Sequence, residues 1–173
     1  MSLFEISPAP CDAKTKRYSE SVYAYYRDSD RPAIIAIRAL LESWFAEVPP
    51  AEQLDLQQRF RSPIERHHRF AQFELYLHHY LLRCGYQIEL HPKVAGVTTH
   101  PNFLVSWDGN PHFYYEAIAV GNSAKEEAEI NRINQVYDSL NRLNSPDFYL
   151  AIRVDGAPLT PPAGGKLRAD LER

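Results

Sequence analysis

The sequence has little cysteine, little lysine and no long apolar run, and each shortage narrows the reading. Two cysteines in 173 residues, Cys11 and Cys84, cannot build a disulfide framework, so a reducing, cytoplasmic setting is the expectation. The seven histidines never fall beside cysteines at zinc-ligand spacing, which argues against a structural zinc site. Lysine occurs five times, and 19 Lys and Arg face 22 Asp and Glu for a net charge of -3. A strongly basic protein is thereby excluded, and any nucleic-acid contact must come from a local patch. The opening MSLFEISPAPCDAK lacks a basic start followed by an apolar core, and no apolar run reaches membrane-spanning length. No signal peptide and no membrane partner are therefore expected. Repeats and low-complexity segments are absent too. What is present is a 45% apolar composition, enough for one domain with a real core.

The most informative stretch is Pro101 to Ile118, PNFLVSWDGNPHFYYEAI. Phe103-Leu104-Val105 and His112 to Val120 read as two strands, with the turn formers Asp108-Gly109-Asn110-Pro111 between them. Side chains alternate across a strand, so Tyr114, Glu116, Ile118 and Val120 share one face, and Phe113, Tyr115, Ala117 and Ala119 the other. A carboxylate on a face of Tyr, Ile and Val is costly to bury unless something binds it, and a metal ion is one such partner.

Along the rest of the chain, residues 1–17 read as a loosely held arm. Tyr18, Val22, Tyr25 and Tyr26 recur at roughly helical spacing. Asp30 is placed to cap a helix that begins at Pro32, carries Ile34 to Phe45 and ends at Pro49-Pro50. Residues 51–61 are helix-permissive and stay open. Ser62-Pro63-Ile64-Glu65 has the form of a capping box for a helix running to about Arg83, with Gly85 just past its end. Phe70, Phe73, Leu77, Tyr80, Leu81 and Cys84 draw its expected core stripe, and Glu74 lies beside that stripe. A strand follows at Tyr86 to His91, then a loop with Gly96, then the hairpin. Ser123 and Glu126 form a second capping box, opening a helix with Ile130, Ile133, Val136, Tyr137, Leu140 and Leu143 on its core face. Phe148 to Val154 alternate in a last strand, a Pro- and Gly-rich loop follows, and residues 166–173 start a further helix. A chain closing so soon after a linker suggests a longer protein with a C-terminal partner domain, and a homodimer also stays open.

The order after residue 60 is helix, three strands, helix, strand. A right-handed parallel crossover links the Glu116 strand to the Phe148 strand, and three strands in a row precede it. The expected fold class is α/β: a mixed central sheet flanked by helices. This order, with PNF followed by EAI after a turn, resembles the restriction-endonuclease-like nuclease superfamily, whose loose signature is Pro-Asp, a gap, then Asp/Glu-x-Lys, often with a Glu on the preceding helix. The likeness covers residues 62–154. It implies a nuclease-like core at 62–155, an N-terminal helical extension at 1–61 packed on it, and a C-terminal linker and further segment at 156–173.

Carried over residue by residue, the resemblance makes Glu74, Asn102 and Glu116 the metal-binding set for Mg²⁺ or Mn²⁺, with DNA as partner and substrate. Such an ion takes hard oxygen ligands, lowers the pKa of a bound water and neutralises charge on the phosphate. Two positions depart from the pattern. Asn102 offers a neutral amide where the family has a carboxylate, and Ile118 stands where the lysine belongs. Of the lysines near in sequence, Lys93 and Lys125, the resemblance favours Lys125 as the catalytic stand-in beside Glu116. The implied activity is a divalent-metal nuclease, weakened or dead as written; the alternative is a lapsed member kept as a DNA-binding or protein-interaction module.

Each candidate also has a plain structural reading. Glu74 at the core boundary is either a ligand or the partner of an arginine, and Asn102 after Pro101 is either a ligand or a turn residue. The run Arg59, Arg61, Arg66, His67, His68, Arg69 is the one basic cluster. It either tracks a phosphate backbone, with Arg61, Arg66 and Arg69 as nucleic-acid contacts, or forms a solvated helix face or partners for the chain's many acids. Tyr114 and Tyr115 either stack bases or pack within the sheet.

Overall fold

A computed structural model describes residues 1–5, 15–96, 100–118, 120–143, 151–156, 159–160 and 163–172. The chain forms two compact units, one of Met1–Lys14 with Ser21–Val120 and one of Thr15–Glu20 with Gly121–Arg173. Within the larger unit the N-terminal helices and the sheet share one core.

In the larger unit, α1 (Val22–Asp28), α2 (Pro32–Phe45), α3 (Pro50–Phe60) and α4 (Glu65–Arg83) precede β1 (Gln87–Leu90), β2 (Phe103–Trp107) and β3 (Asn110–Tyr115). The strands form an antiparallel sheet in the order β1-β2-β3. With the helices of both units, the architecture is mixed α/β. Of the expected last strand, residues 148–150 lie outside the described residues, and 151–154 carry no regular structure. No parallel crossover is seen among the described residues.

The local reasons for these elements are mostly those of the sequence. The stretch left open becomes α3, because Pro50 supplies the preset φ of its first turn; α2 has already ended at Phe45, ahead of Pro49-Pro50. Asp30 does not cap α2; Arg31 occupies the cap position without a side-chain bond, and Pro32 begins the first turn. Ser62 likewise misses its capping box, accepting instead from the Ile64 amide at 3.2 Å. Glu65 turns away to the Val22 amide and to Arg69. The end of α4 is as expected. Gly85 N–H donates to Leu82 O and Tyr86 N–H to Leu81 O, a Schellman closure with Gly85 at φ +87.

The turn of the hairpin is Asp108-Gly109, with φ of +50 and +74, the pairing that suits a two-residue loop between twisted strands. Pro111 enters β3 opposite Ser106, where the register shifts, so its missing donor falls at an irregularity. Phe103 pairs with Tyr115 and Val105 with Phe113. Cross-strand partners share a face, and Phe103 and Val105 are fully buried. The inward face of this arm is therefore the Tyr115 and Ala117 face, not that of Tyr114 and Glu116. Glu116 lies past the end of β3 and is exposed, with Ile118 80% exposed.

The core joins Phe45, Leu56, Phe60, Leu75, Phe103 and Val105. The buried face of α4 is His68, Ala71, Glu74, Leu75, Leu77, His78 and Leu81, rotated from the expected stripe. Phe73, Tyr80 and Cys84 of that stripe are exposed. The first residues are not a loose arm. Leu3 and Phe4 enter the core, and Glu42 accepts from the amides of Leu3 at 2.9 Å and Phe4 at 2.8 Å. Arg61 and Gln57 donate to Ser2 and Leu3 carbonyls.

In the smaller unit, α5 (Ala124–Leu140) opens on the Ser123–Glu126 capping box, with both reciprocal bonds made. Asp138 receives the amides of Tyr18 at 2.7 Å and Ser19 at 2.9 Å, together with the Ser19 hydroxyl. The expected further helix is α6 (Gly164–Leu171). A Cβ at Gly164 would overlap the Ser139 hydroxyl, which accounts for glycine there.

Candidate functional site

Glu74 is 1% exposed, the most deeply placed carboxylate among the described residues. An ionised carboxylate in such a place must be paired, and α3 and the end of β1 supply the partners. Arg59 of α3 reaches it with both terminal nitrogens, Nη1 to Oε2 at 2.6 Å and Nη2 to Oε1 at 3.2 Å, the two-pronged geometry of a strong pair. His91 adds Nε2 at 3.4 Å from Oε1.

Each cation is shared with a second acid. Arg59 Nε donates to Asp55 at 2.7 Å, one turn earlier on α3. His91 Nδ1 lies 3.2 Å from Glu52 Oε2. The result is a row of alternating charge, Asp55, Arg59, Glu74, His91, Glu52. His91 holds its place in the row at a cost, since its φ of +46 is one that residues with a Cβ seldom adopt.

The charges set one another. Burial is the largest influence on Glu74 and pushes its pKa up; the His91 and Arg59 contacts together outweigh it and hold the carboxyl below its usual value. His91 moves the other way, pushed up to about 9, chiefly by Glu74. His78, one turn after Glu74 on α4, is 2% exposed, and its Nδ1 finds no hydrogen-bond partner among the described residues. Burial above all holds its pKa below the usual value.

The row leads to the other candidates of the hairpin. His91 N–H donates to Asn102 O at 2.9 Å, and Asn102 Oδ1 accepts the Ala117 N–H at 2.8 Å. Glu74, Asn102 and the segment bearing Glu116 are thus linked through His91 and Ala117. The side chains are nevertheless occupied by the protein itself. Glu74 has both oxygens on cations, Asn102 ties the chain beyond β3 to the start of β2, and Glu116 faces solvent. Among the described residues, no group of three or more His, Cys, Asp or Glu converges to hold a metal ion. Lys125 stands on the first turn of α5, in the other unit, and is exposed, as is Lys93.

The basic run also divides. Arg59 serves Glu74, Arg61 donates to the carbonyls of Ser2 and Leu3, and His68 is buried with Nδ1 against Phe60 O. Arg69 pairs with Glu65 at 3.1 Å, and Arg66 and His67 are exposed. Tyr115 packs against Phe103, with ring centroids 6.2 Å apart, while Tyr114 is exposed.

The sequence offers an arginine as one reading of Glu74's partner without saying which arginine, and it gives no sign of His91. The Asp55–Arg59 spacing of four on a helix was a usable signal. Nothing local marked His91, whose place depends on where β1 stops. Comparison with family models, curated proteins and solved structures finds no match for this chain.

Proposed function

We propose that the protein is a non-catalytic binding module that keeps part of the layout of a nuclease site without its metal chemistry. One observation carries this reading: the buried Glu74 carboxylate is held on both oxygens by Arg59 and His91. A divalent cation entering there would meet two positive charges already in place, and Mg²⁺ sheds its waters only for several well-placed oxygens. Asn102 supplies no charge and spends its oxygen on Ala117 N–H. Ile118, where the resemblance calls for lysine, cannot position a water. The likeness to the nuclease superfamily retains one support, the linkage of Glu74, Asn102 and the Glu116 segment through His91.

DNA is not the favoured partner, because most of the basic run is committed within the fold. A cleavage assay with Mg²⁺ or Mn²⁺ tests the proposal. The protein and its Asn102→Asp variant are both expected to leave duplex and single-stranded DNA intact. Metal-dependent cleavage by Asn102→Asp that Glu116→Ala then abolishes would establish the nuclease reading instead.

A further inference from the structure

Helix α2 meets solvent without a charge. Its two charged residues are both spent on backbone within the fold. Arg38 donates to the carbonyls of Tyr26 at 2.6 Å and Ser29 at 2.5 Å, and Glu42 accepts from the amides of Leu3 and Phe4. What remains outside is Ala33, Ile35, Ala36, Ala39, Leu40 and Ser43, and the Ser43 hydroxyl is itself bonded to Leu40 O at 2.6 Å. A surface helix ordinarily turns charged residues outward, and one that is apolar all round is ordinarily covered. The apolar ground continues onto α4, because Trp44 comes 6.0 Å from Tyr76 and stacks on His79 at 4.8 Å. Phe73, Tyr76 and Tyr80 stand up from α4, 44–51% exposed, with their rings nearly parallel. The charges beside them are settled within the chain, Arg69 by Glu65 at 3.1 Å and Arg83 by Glu47 at 2.6 Å. Arg66 stands two turns before Phe73.

We propose that the face shared by α2 and α4 is where two copies of this chain meet. The inference goes beyond the binding-module reading and does not depend on it, since no side chain of the face is bonded to Glu74. Three features select a second copy. The first is neutrality: a face with no uncompensated charge inside it has nothing to attract a nucleic acid and nothing to repel its own image. The second is relief. The contacts advance together along the two helices, Trp44 with Tyr76, then Glu47 with His79 and Arg83, so α2 and α4 run in the same direction. A two-fold axis laid along the groove between them sets the rings of each α4 over the short side chains of the other copy's α2. The third is area. Half exposed, each of the three rings offers roughly 100 Å². With Leu40, Trp44 and the short side chains the face comes to roughly 500 Å² per copy, over a footprint of about 20 by 20 Å. Two copies then bury roughly 1,000 Å², the lower bound for a specific interface and the size of a reversible dimer rather than an obligate one.

Analytical ultracentrifugation of the full chain tests this. Between about 1 and 200 µM the chain is expected to pass from monomer to dimer, with a Kd of roughly 1–100 µM. Leu40→Lys and Tyr76→Lys each place a charge inside the face and should each weaken the dimer about tenfold or more, with the circular dichroism spectrum unchanged. Ala36→Trp fills the low ground that receives a ring and should also weaken the dimer about tenfold or more. Tyr114→Lys, on exposed β3, should leave it as it is. Raising the salt from about 0.05 to 0.5 M should not weaken the dimer, because no charge pair holds it. A chain still monomeric at the highest concentration would overturn the proposal and leave the face to a different protein. A dimer indifferent to both Leu40→Lys and Tyr76→Lys, or one dispersed by salt, would place the contact elsewhere and overturn it equally.

Discussion

Arg59 and Glu74 meet at 2.6 Å, with the acid 1% exposed and the base about a quarter exposed. A pair of this kind is worth little as a net attraction, because both charges lose water to form it, but it is costly to break from one side. Arg59→Met should therefore destabilise the protein by about 3–5 kcal/mol, by leaving Glu74 buried with a weaker partner. The double variant Arg59→Met, Glu74→Met should recover most of that loss. Denaturant unfolding of the parent chain and the two variants checks both values.

The charge row also fixes a pH dependence. His91 is pushed up to about 9 from 6.5, so its contribution to stability is complete below about 6.5 and disappears as pH rises through about 9. Glu74 lies below its usual 4.5, so its contribution is present above that value and is lost as pH falls through its folded pKa. Unfolding free energy should decline between pH 6.5 and 9, and His91→Gln should flatten that decline. Urea titrations across this range report the slope.

The closing turn of α4 gives a sharper test of a single residue. Gly85 has φ +87, and a Cβ there would lie 3.2 Å from the Trp107 ring. Gly85→Ala meets both an unfavourable backbone and a close neighbour, and should cost about 1–2 kcal/mol. The thermal midpoint should fall accordingly, whereas Gly96→Ala, with no neighbour within 4 Å, should pay for its backbone alone.

The N-terminal segment gives a further test. Glu42→Ala leaves the amides of Leu3 and Phe4 without their acceptor, which should cost about 2–3 kcal/mol. The same change should speed proteolysis within the first five residues. An unchanged cleavage rate would mean that Leu3 and Phe4 are held by packing alone.

Local signals in the sequence were read well, and those that depend on a distant partner were not. Gly85 and the Ser123–Glu126 box act within one helical turn, and both perform as their residues suggest. Asp30 and Ser62 have equally good cap chemistry, but the cap positions fall at Arg31 and Ile64. The buried face of α4 is legible in part: Leu77 and Leu81 of the expected stripe go inside, whereas Phe73 and Tyr80 do not, and His68 and Glu74 take the interior because Phe60, Arg59 and His91 are there to meet them. The face of β3 was misassigned because Glu116 was read as strand. The neighbouring strand held the better guide: buried Phe103 and Val105 select Tyr115 and Phe113 as partners. Of the candidate site, the arginine partner of Glu74 was anticipated as one of two readings, while His91 was not.

The central claim is that Glu74 belongs to Arg59 and His91 rather than to a metal ion. Titration of Mn²⁺ into isotopically labelled protein, followed by paramagnetic broadening of amide signals, tests it directly. The account predicts no selective broadening at Glu74, His91, Asn102 and Ala117, with any effect confined to exposed acids. Selective loss of those four signals, prevented by Glu74→Gln, would contradict it.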